Sequence, residues 1–200
     1  MRNGVQTREV REALLDATDR LLADKGYKKM TIDDLAREVG IGKGSVYLHF
    51  TSKEEIALSH VDRIVERLKE QLEIIAGKEI SAGKRLRQML LTRVLFRFDS
   101  VQHYTQSLND LLADLRPNLL ARRENYFKEE SEIFARIIEE GQQKGEFQDG
   151  DSLEIAKAFL TATNSLLPFS LTTQELGARE EIEEKTLRIA DLLLRGVRKI

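Results

Sequence analysis

Apolar residues recur along this chain at intervals of three and four, the period of a helix buried on one side. Val10, Ala13, Leu14, Ala17, Leu21 and Leu22 define the first stripe, and Gly26 follows where a left-handed helix end is expected. Thr31 and Asp34 then form a capping-box pattern ahead of a short stripe, Ile32, Leu35, Ala36 and Val39, which Gly40 stops. Between Gly42 and Phe50 only Val46 and Phe50 make an i, i+4 apolar pair. Ser52 and Glu55 repeat the capping pattern and open a long helix with Ile56, Val61, Ile64, Val65, Leu68, Leu72 and Ile75 on its inner side, ended by Gly77.

The remaining chain predicts helices over 84–98 and 104–115, and then one begun by Pro117, since proline is tolerated in a first turn. That third helix runs to about Gln143. Asp151 and Glu154 bracket another capping pattern before a helix that is apolar on nearly every side, from Leu153 to Leu167. A final helix covers about Arg179 to Arg198. No strand pairing is evident, and the fold class is all-α with about nine helices.

Composition narrows the function. There is no cysteine, which excludes disulfides, thiol catalysis and zinc sites built on cysteine. Three scattered histidines offer no triad, and neither His60 nor His103 has a carboxylate or second histidine at a ligand spacing. No catalytic residue, metal or cofactor is therefore expected. The N-terminus lacks the apolar core of a secretory signal, and the longest uncharged run, which starts at Ala158, is too polar to span a membrane; a cytoplasmic location is the expectation. The net charge is −2, and the first sixty residues hold ten Lys/Arg against ten Asp/Glu. Any nucleic-acid site must depend on where a few cations sit.

The segment GIGKGSVYLHF, residues 40–50, is the anomaly. Glycine costs about 1 kcal/mol relative to alanine in a helix interior, yet a helix-sized stretch carries Gly42 and Gly44 beside Tyr47 and His49. Two short helices joined by a tight turn have the layout of a helix-turn-helix, whose second helix enters the DNA major groove. Small side chains at Gly42, Gly44 and Ser45 let the backbone approach a duplex. Tyr47 and His49 lie off the Val46/Phe50 face and can reach the sugar-phosphate backbone. Thr31 and Lys53, at helix starts, are placed for phosphates, and Lys43, Gly44 and Ser45 for base edges.

The stretch TIDDLAREVGIGKGSVYLHFTSKEEI, with its Gly-x-x-Lys-Gly-x-x-Tyr-x-x-Phe-x-x-Lys-Glu spacing, resembles the DNA-binding domain of TetR-family transcriptional regulators. The resemblance covers roughly Arg8 to Ile56. It implies a three-helix helix-turn-helix domain over residues 1–52 and a helical ligand-binding and dimerisation domain over 53–200. It also implies a repressor that leaves a palindromic double-stranded operator when a small hydrophobic ligand binds. An inducer pocket implied in the second domain draws its candidates from Phe96, Phe98, Gln102, Tyr104, Asn109, Arg123, Tyr126, Phe127 and Phe159, with Asn164 a further polar group. Apart from the resemblance, a helix apolar all round must be covered twice, which points to a homodimer through the last two helices. The alternative is a helical adaptor for a protein partner, its DNA-binding segment vestigial, which the N-terminal charge balance favours.

Overall fold

The computed structural model describes residues 2–102, 107–168 and 177–199, and the side chains of 7–102, 114–168 and 177–199. Nine α-helices lie among the described residues: α1 (Arg2–Asp24), α2 (Gly26–Lys29), α3 (Ile32–Val39), α4 (Lys43–Tyr47), α5 (Lys53–Ala76), α6 (Ala82–Val101), α7 (Ser107–Gln143), α8 (Ser152–Thr163) and α9 (Arg179–Val197). A 3₁₀ turn, Asn164–Leu166, follows α8. The one pairing of β type among the described residues is an isolated antiparallel bridge between Phe147 and Arg198. Two compact units result, one of residues Met1–Ile64 with His103–Leu120, the other of Val65–Gln102 with Ala121–Ile200.

The first unit is built on the α1 stripe. Leu14, Ala17, Leu21 and Leu22 are buried with Met30, Leu35, Val46, Phe50 and Ile56. Gly26 and Gly40 both have positive φ, 75° and 74°, so each helix end falls where glycine alone adopts the backbone without strain. The Gly40 amide closes on the carbonyl of Ala36 and terminates α3. Thr31 Oγ1 accepts from the Asp34 amide at 3.1 Å while the Asp34 carboxylate accepts from the Thr31 amide at 3.1 Å, so this capping box is reciprocal. The Ser52 box is not. Ser52 Oγ accepts from the Glu55 amide, but the Glu55 carboxylate reaches back to the amide and hydroxyl of Thr51. Asp151 likewise caps the amides of Leu153 and Glu154, while Glu154 turns to Lys157.

Pro117 departs from the sequence expectation. It sits inside α7, which runs unbroken from Ser107 to Gln143, and does not begin a helix. Proline in a helix interior removes one backbone hydrogen bond at a cost of about 3 kcal/mol. Burial of Leu115 and Leu119 on either side of it, and continuity of the apolar stripe, override that local cost. The α8 helix is also shorter than its apolar run, because the chain turns into the 3₁₀ segment at Asn164.

In the second unit, α9 packs chiefly on α6. Its larger core joins Leu68 and Leu72 of α5, Leu86, Met89 and Leu90 of α6, Phe134, Ile137 and Ile138 of α7, Phe159 and Leu160 of α8 and Leu194 of α9. A smaller cluster gathers Val94, Leu95, Phe98, Leu167 and Ile182. Three arginines of α6 are buried in this unit. Arg85 donates to the Ala76 carbonyl at 2.8 Å, satisfying the end of α5, and to Glu140 at 2.7 Å.

Phe147 fills the space left by a missing side chain: a Cβ built on Gly141 would lie 2.3 Å from its ring and 3.0 Å from the Ala82 Cβ. Alanine normally stabilises a helix relative to glycine. Here Gly141→Ala is expected to destabilise the protein by about 1–3 kcal/mol through overpacking, measured by urea unfolding. An unchanged or raised midpoint would show that the ring moves aside without cost.

Candidate nucleic-acid interface

Helix α4 is held by one face. Val46 is fully buried and Phe50 is 1% exposed; α4 packs on α3, and the Arg11 guanidinium of α1 stands 4.8 Å from the centre of the Phe50 ring. Gly42, Lys43, Gly44 and Tyr47 are exposed, and Ser45 and His49 half-buried. Tyr47 is 49% exposed and its neighbour Leu48, which the spacing alone does not single out, is 83% exposed. Tyr47 and Leu48 are neighbours, so the end of α4 turns an aromatic and an aliphatic side chain together to solvent.

Glycine at position 44 has no internal reason. A Cβ added there meets nothing within 4 Å, and its φ is not in the left-handed region. Neither packing nor backbone conformation inside the chain therefore demands glycine, in contrast to Gly40 and Gly141.

The cations near α4 are engaged with the protein itself. Lys43 Nζ lies 2.7 Å from Asp33 of α3, and this hydrogen bond and charge raise the lysine pKa. Both partners are more than half exposed, so the pair is screened by solvent and easily exchanged for another anion. Lys53 Nζ donates to the Tyr27 carbonyl at 3.0 Å and stands 4.5 Å from the centre of the Tyr27 ring. Burial is the main cause of the raised Tyr27 pKa. Lys53 thus ties α5 to α2 as well as facing the surface at the start of its helix. Thr31 is exposed but its hydroxyl is already used in the capping box. Lys25 reaches Asp34 at 2.8 Å, a pairing nine residues apart that no local pattern announces.

His60 is buried, with Nε2 3.4 Å from Asp19 and Nδ1 3.4 Å from the Arg63 guanidinium, which in turn reaches Asp16 at 2.7 Å. It serves to join α5 to α1, and His103 lies outside the described residues. Among the described residues no group of three His, Cys, Asp or Glu is placed to hold a metal, and no helix is long and apolar enough to cross a membrane.

Comparison with known proteins decides what this helix pair is. The profile of bacterial regulatory proteins of the tetR family matches residues 14–59, and that of the tetracyclin repressor-like C-terminal domain matches residues 82–189. The chain belongs to the TetR family. It is a DNA-binding transcriptional regulator, and α3 and α4 form its helix-turn-helix. It is similar to the HTH-type transcriptional repressor KstR2 of Rhodococcus jostii (strain RHA1), 28% identical over 160 residues, covering 76% of this chain and 75% of that protein. A match to the uncharacterized HTH-type transcriptional regulator YerO of Bacillus subtilis (strain 168) is 31% identical over 106 residues but takes in 53% of this chain and only 36% of that protein. A transcriptional regulator from Cytophaga hutchinsonii ATCC 33406 has the same fold, with a TM-score of 0.76 at 22% identity, covering 94% of this chain and 98% of that one.

TetR-family proteins dimerise and bind small molecules as well as operators. Of the residues that the sequence puts forward for such a pocket, three meet at the larger core and one lies in the smaller cluster. Phe159 belongs to the larger core, and Phe98 to the smaller cluster. Phe96 and Phe127 are half-buried against the larger core. Arg123, Tyr126 and Asn164 are half-buried, and Gln102 is exposed at the end of α6. Tyr104 and the side chain of Asn109 lie outside the described residues.

The cap that positions α3 makes a pH-dependent contribution. Hydrogen bonds from Lys25 and Thr31 hold the Asp34 carboxyl down to about 2, below its ordinary 3.8. A folded-state value below the unfolded one means stabilisation is complete above about pH 4 and is lost as pH falls towards 2. Thr31→Ala is expected to cost about 1 kcal/mol at neutral pH. Thermal melts of Asp34→Asn should fall less than wild type between pH 4 and 2; equal falls would assign the acid sensitivity to other carboxylates.

Proposed function

We propose that the protein is a homodimeric repressor that reads a palindromic operator through α4 and releases it when a small hydrophobic ligand binds the C-terminal domain. The working division is residues 1–52 for DNA and 53–200 for ligand and dimer. On this reading Tyr47, His49, Thr31 and Lys53 face the sugar-phosphate backbone, and Lys43, Gly44 and Ser45, with Gly42 at the turn, face the base edges. The observation that carries it is the outward face of α4: an exposed tyrosine and a glycine that nothing inside the protein requires. Close approach of a second macromolecule's backbone supplies the missing reason for that glycine. Lys43 exchanges Asp33 for a phosphate or a guanine edge, so its surface pair is a resting state and costs little to open.

Apolar surface on the last two helices supports the dimer. Leu192 of α9 is 67% exposed, and Leu153 and Ala158 of α8 are exposed too, although α8 buries Ala156, Phe159 and Leu160 on its other side. A second copy covering these faces also supplies the two-fold symmetry that a palindromic site demands. The name of the relative KstR2 as a repressor supports the sign of regulation. Ligand would act by favouring a conformation in which the paired α4 helices no longer fit successive grooves, by as much as its affinity differs between the two states.

Two experiments test this reading. Gly44→Ala should stabilise the fold by about 0.4–1 kcal/mol in urea unfolding while weakening a gel shift on the protein's own promoter region. Tyr47→Ala should weaken the shift with no loss of stability. Full operator affinity in both variants would remove α4 from the interface. In sedimentation velocity, Leu192→Glu should convert dimer to monomer and abolish the shift; a dimer that persists would place the interface elsewhere.

A further inference from the structure

Leu48 stands at the centre of the outward face of α4. The backbone stays helical past the last residue of that helix: Leu48 has φ −72° and ψ −20°, its amide donates to the Ser45 carbonyl at 3.3 Å, and the His49 and Phe50 amides both donate to the Val46 carbonyl, at 3.0 and 3.1 Å. At about 100° of rotation per residue, Leu48 falls about 160° from each of the two anchors, Val46 and Phe50, and about 40° from Gly44. It therefore projects directly away from the buried side. An isolated exposed leucine is ordinary on a protein surface and signals nothing by itself. Its position here is the informative part, because Leu48 is 83% exposed, more than any other large apolar side chain among the described residues, and its neighbour one turn back has no side chain at all.

The chain binds DNA, and the second helix of a helix-turn-helix enters the major groove. A leucine on the outward side of that helix has no charge and no hydrogen-bonding atom to offer. Set against a phosphate, it would strip water from an anion and return nothing. The edges of the bases in the major groove present one apolar group, the C5-methyl of thymine. Gly44 leaves the adjoining surface of α4 without a Cβ, and a Cβ there would meet nothing within 4 Å inside the protein, so the helix can come close enough for the leucine to reach a base edge.

We propose that Leu48 is a specificity-determining residue that packs on the C5-methyl of a thymine in each operator half-site. The proposal rests on α4 reading the operator and adds a base preference that no hydrogen bond carries. Tyr47 and Ser45 flank Leu48 on α4 and supply the polar contacts, while the leucine distinguishes a methylated pyrimidine from the other bases at its position.

A quantitative gel shift with two versions of the protein's own promoter region tests this, one synthesised with thymidine and the other with deoxyuridine, which pairs identically but lacks the methyl group. Loss of one methyl from an apolar contact lowers affinity about fourfold, so a site with two half-sites should bind the wild type about fifteenfold more weakly when it carries uracil. Leu48→Ala should reduce that ratio to about twofold by weakening the thymine complex, and Leu48→Met, still apolar and as long, should keep most of it. The urea midpoint of Leu48→Ala should equal that of the wild type, since so exposed a side chain contributes little to the fold. A wild-type ratio of one, or the same ratio in Leu48→Ala as in wild type, would overturn the proposal; an equal loss on both fragments would place the leucine on the sugars instead. Tyr47→Ala and Gly44→Ala are read beside it: if they weaken the shift while the thymine ratio ignores Leu48, the base contact fails and α4 remains the reading helix, whereas full affinity in all three variants removes both.

Discussion

The division of α4 into an anchored face and a free face is the constraint on which the N-terminal unit depends. Val46 and Phe50 are spaced to fall on one side, and their burial, with α4 packed on α3, fixes a helix of only five residues, far too short to be stable alone. Tertiary anchoring therefore replaces helical propensity. It frees the other positions from any duty to the fold, so glycine at 44, leucine at 48 and tyrosine at 47 can be chosen for what lies outside. The left-handed Gly40 fixes the angle at which α4 leaves α3, and the capping box at Thr31 fixes where α3 begins.

Charge is managed differently in the two units. Around the helix-turn-helix, Lys43, Lys25, Arg20 and Arg63 all lie against carboxylates, so the acidic residues that balance its composition sit beside its cations. Exposed pairs of this kind are weak and exchangeable, so acidic neighbours limit indiscriminate attraction to DNA without removing the cations from use. In the C-terminal unit Arg85 and Arg93 of α6 are buried and held by more than one hydrogen bond each, where exchange is not cheap and removal of a single partner would leave a charge stranded. The first arrangement suits transient contact with a polyanion; the second suits a fixed electrostatic environment.

Two helices are shared by the compact units. The α5 helix runs through the boundary between the compact units at Ile64 and Val65, so the chain that begins with Lys53 beside Tyr27 continues into Leu68 and Leu72 of the second core. Among the described residues, α7 likewise contributes to both units, and Pro117 lies within its N-terminal portion. Secondary structure is thus shared between units whose cores are separate.

The all-α class and the helix-turn-helix could be read from the chain alone, because they rest on local physics. Apolar period, the Thr31–Asp34 cap and the glycine at a left-handed end act within a few residues of each other. The same holds for the inward pair Val46 and Phe50 and the outward Tyr47. Local rules misplaced Pro117, since its cost is overridden by burial of side chains along a much longer helix. They could not show that Lys43 meets Asp33, that Lys53 meets Tyr27, or that Phe98 and Phe159 enter different cores. Nor could they bring Arg93, Arg97 and Glu130 together across 33 to 37 residues. Those contacts join residues distant in sequence, and which side chains meet is set by how helices pack, a property of the folded whole that no single segment encodes.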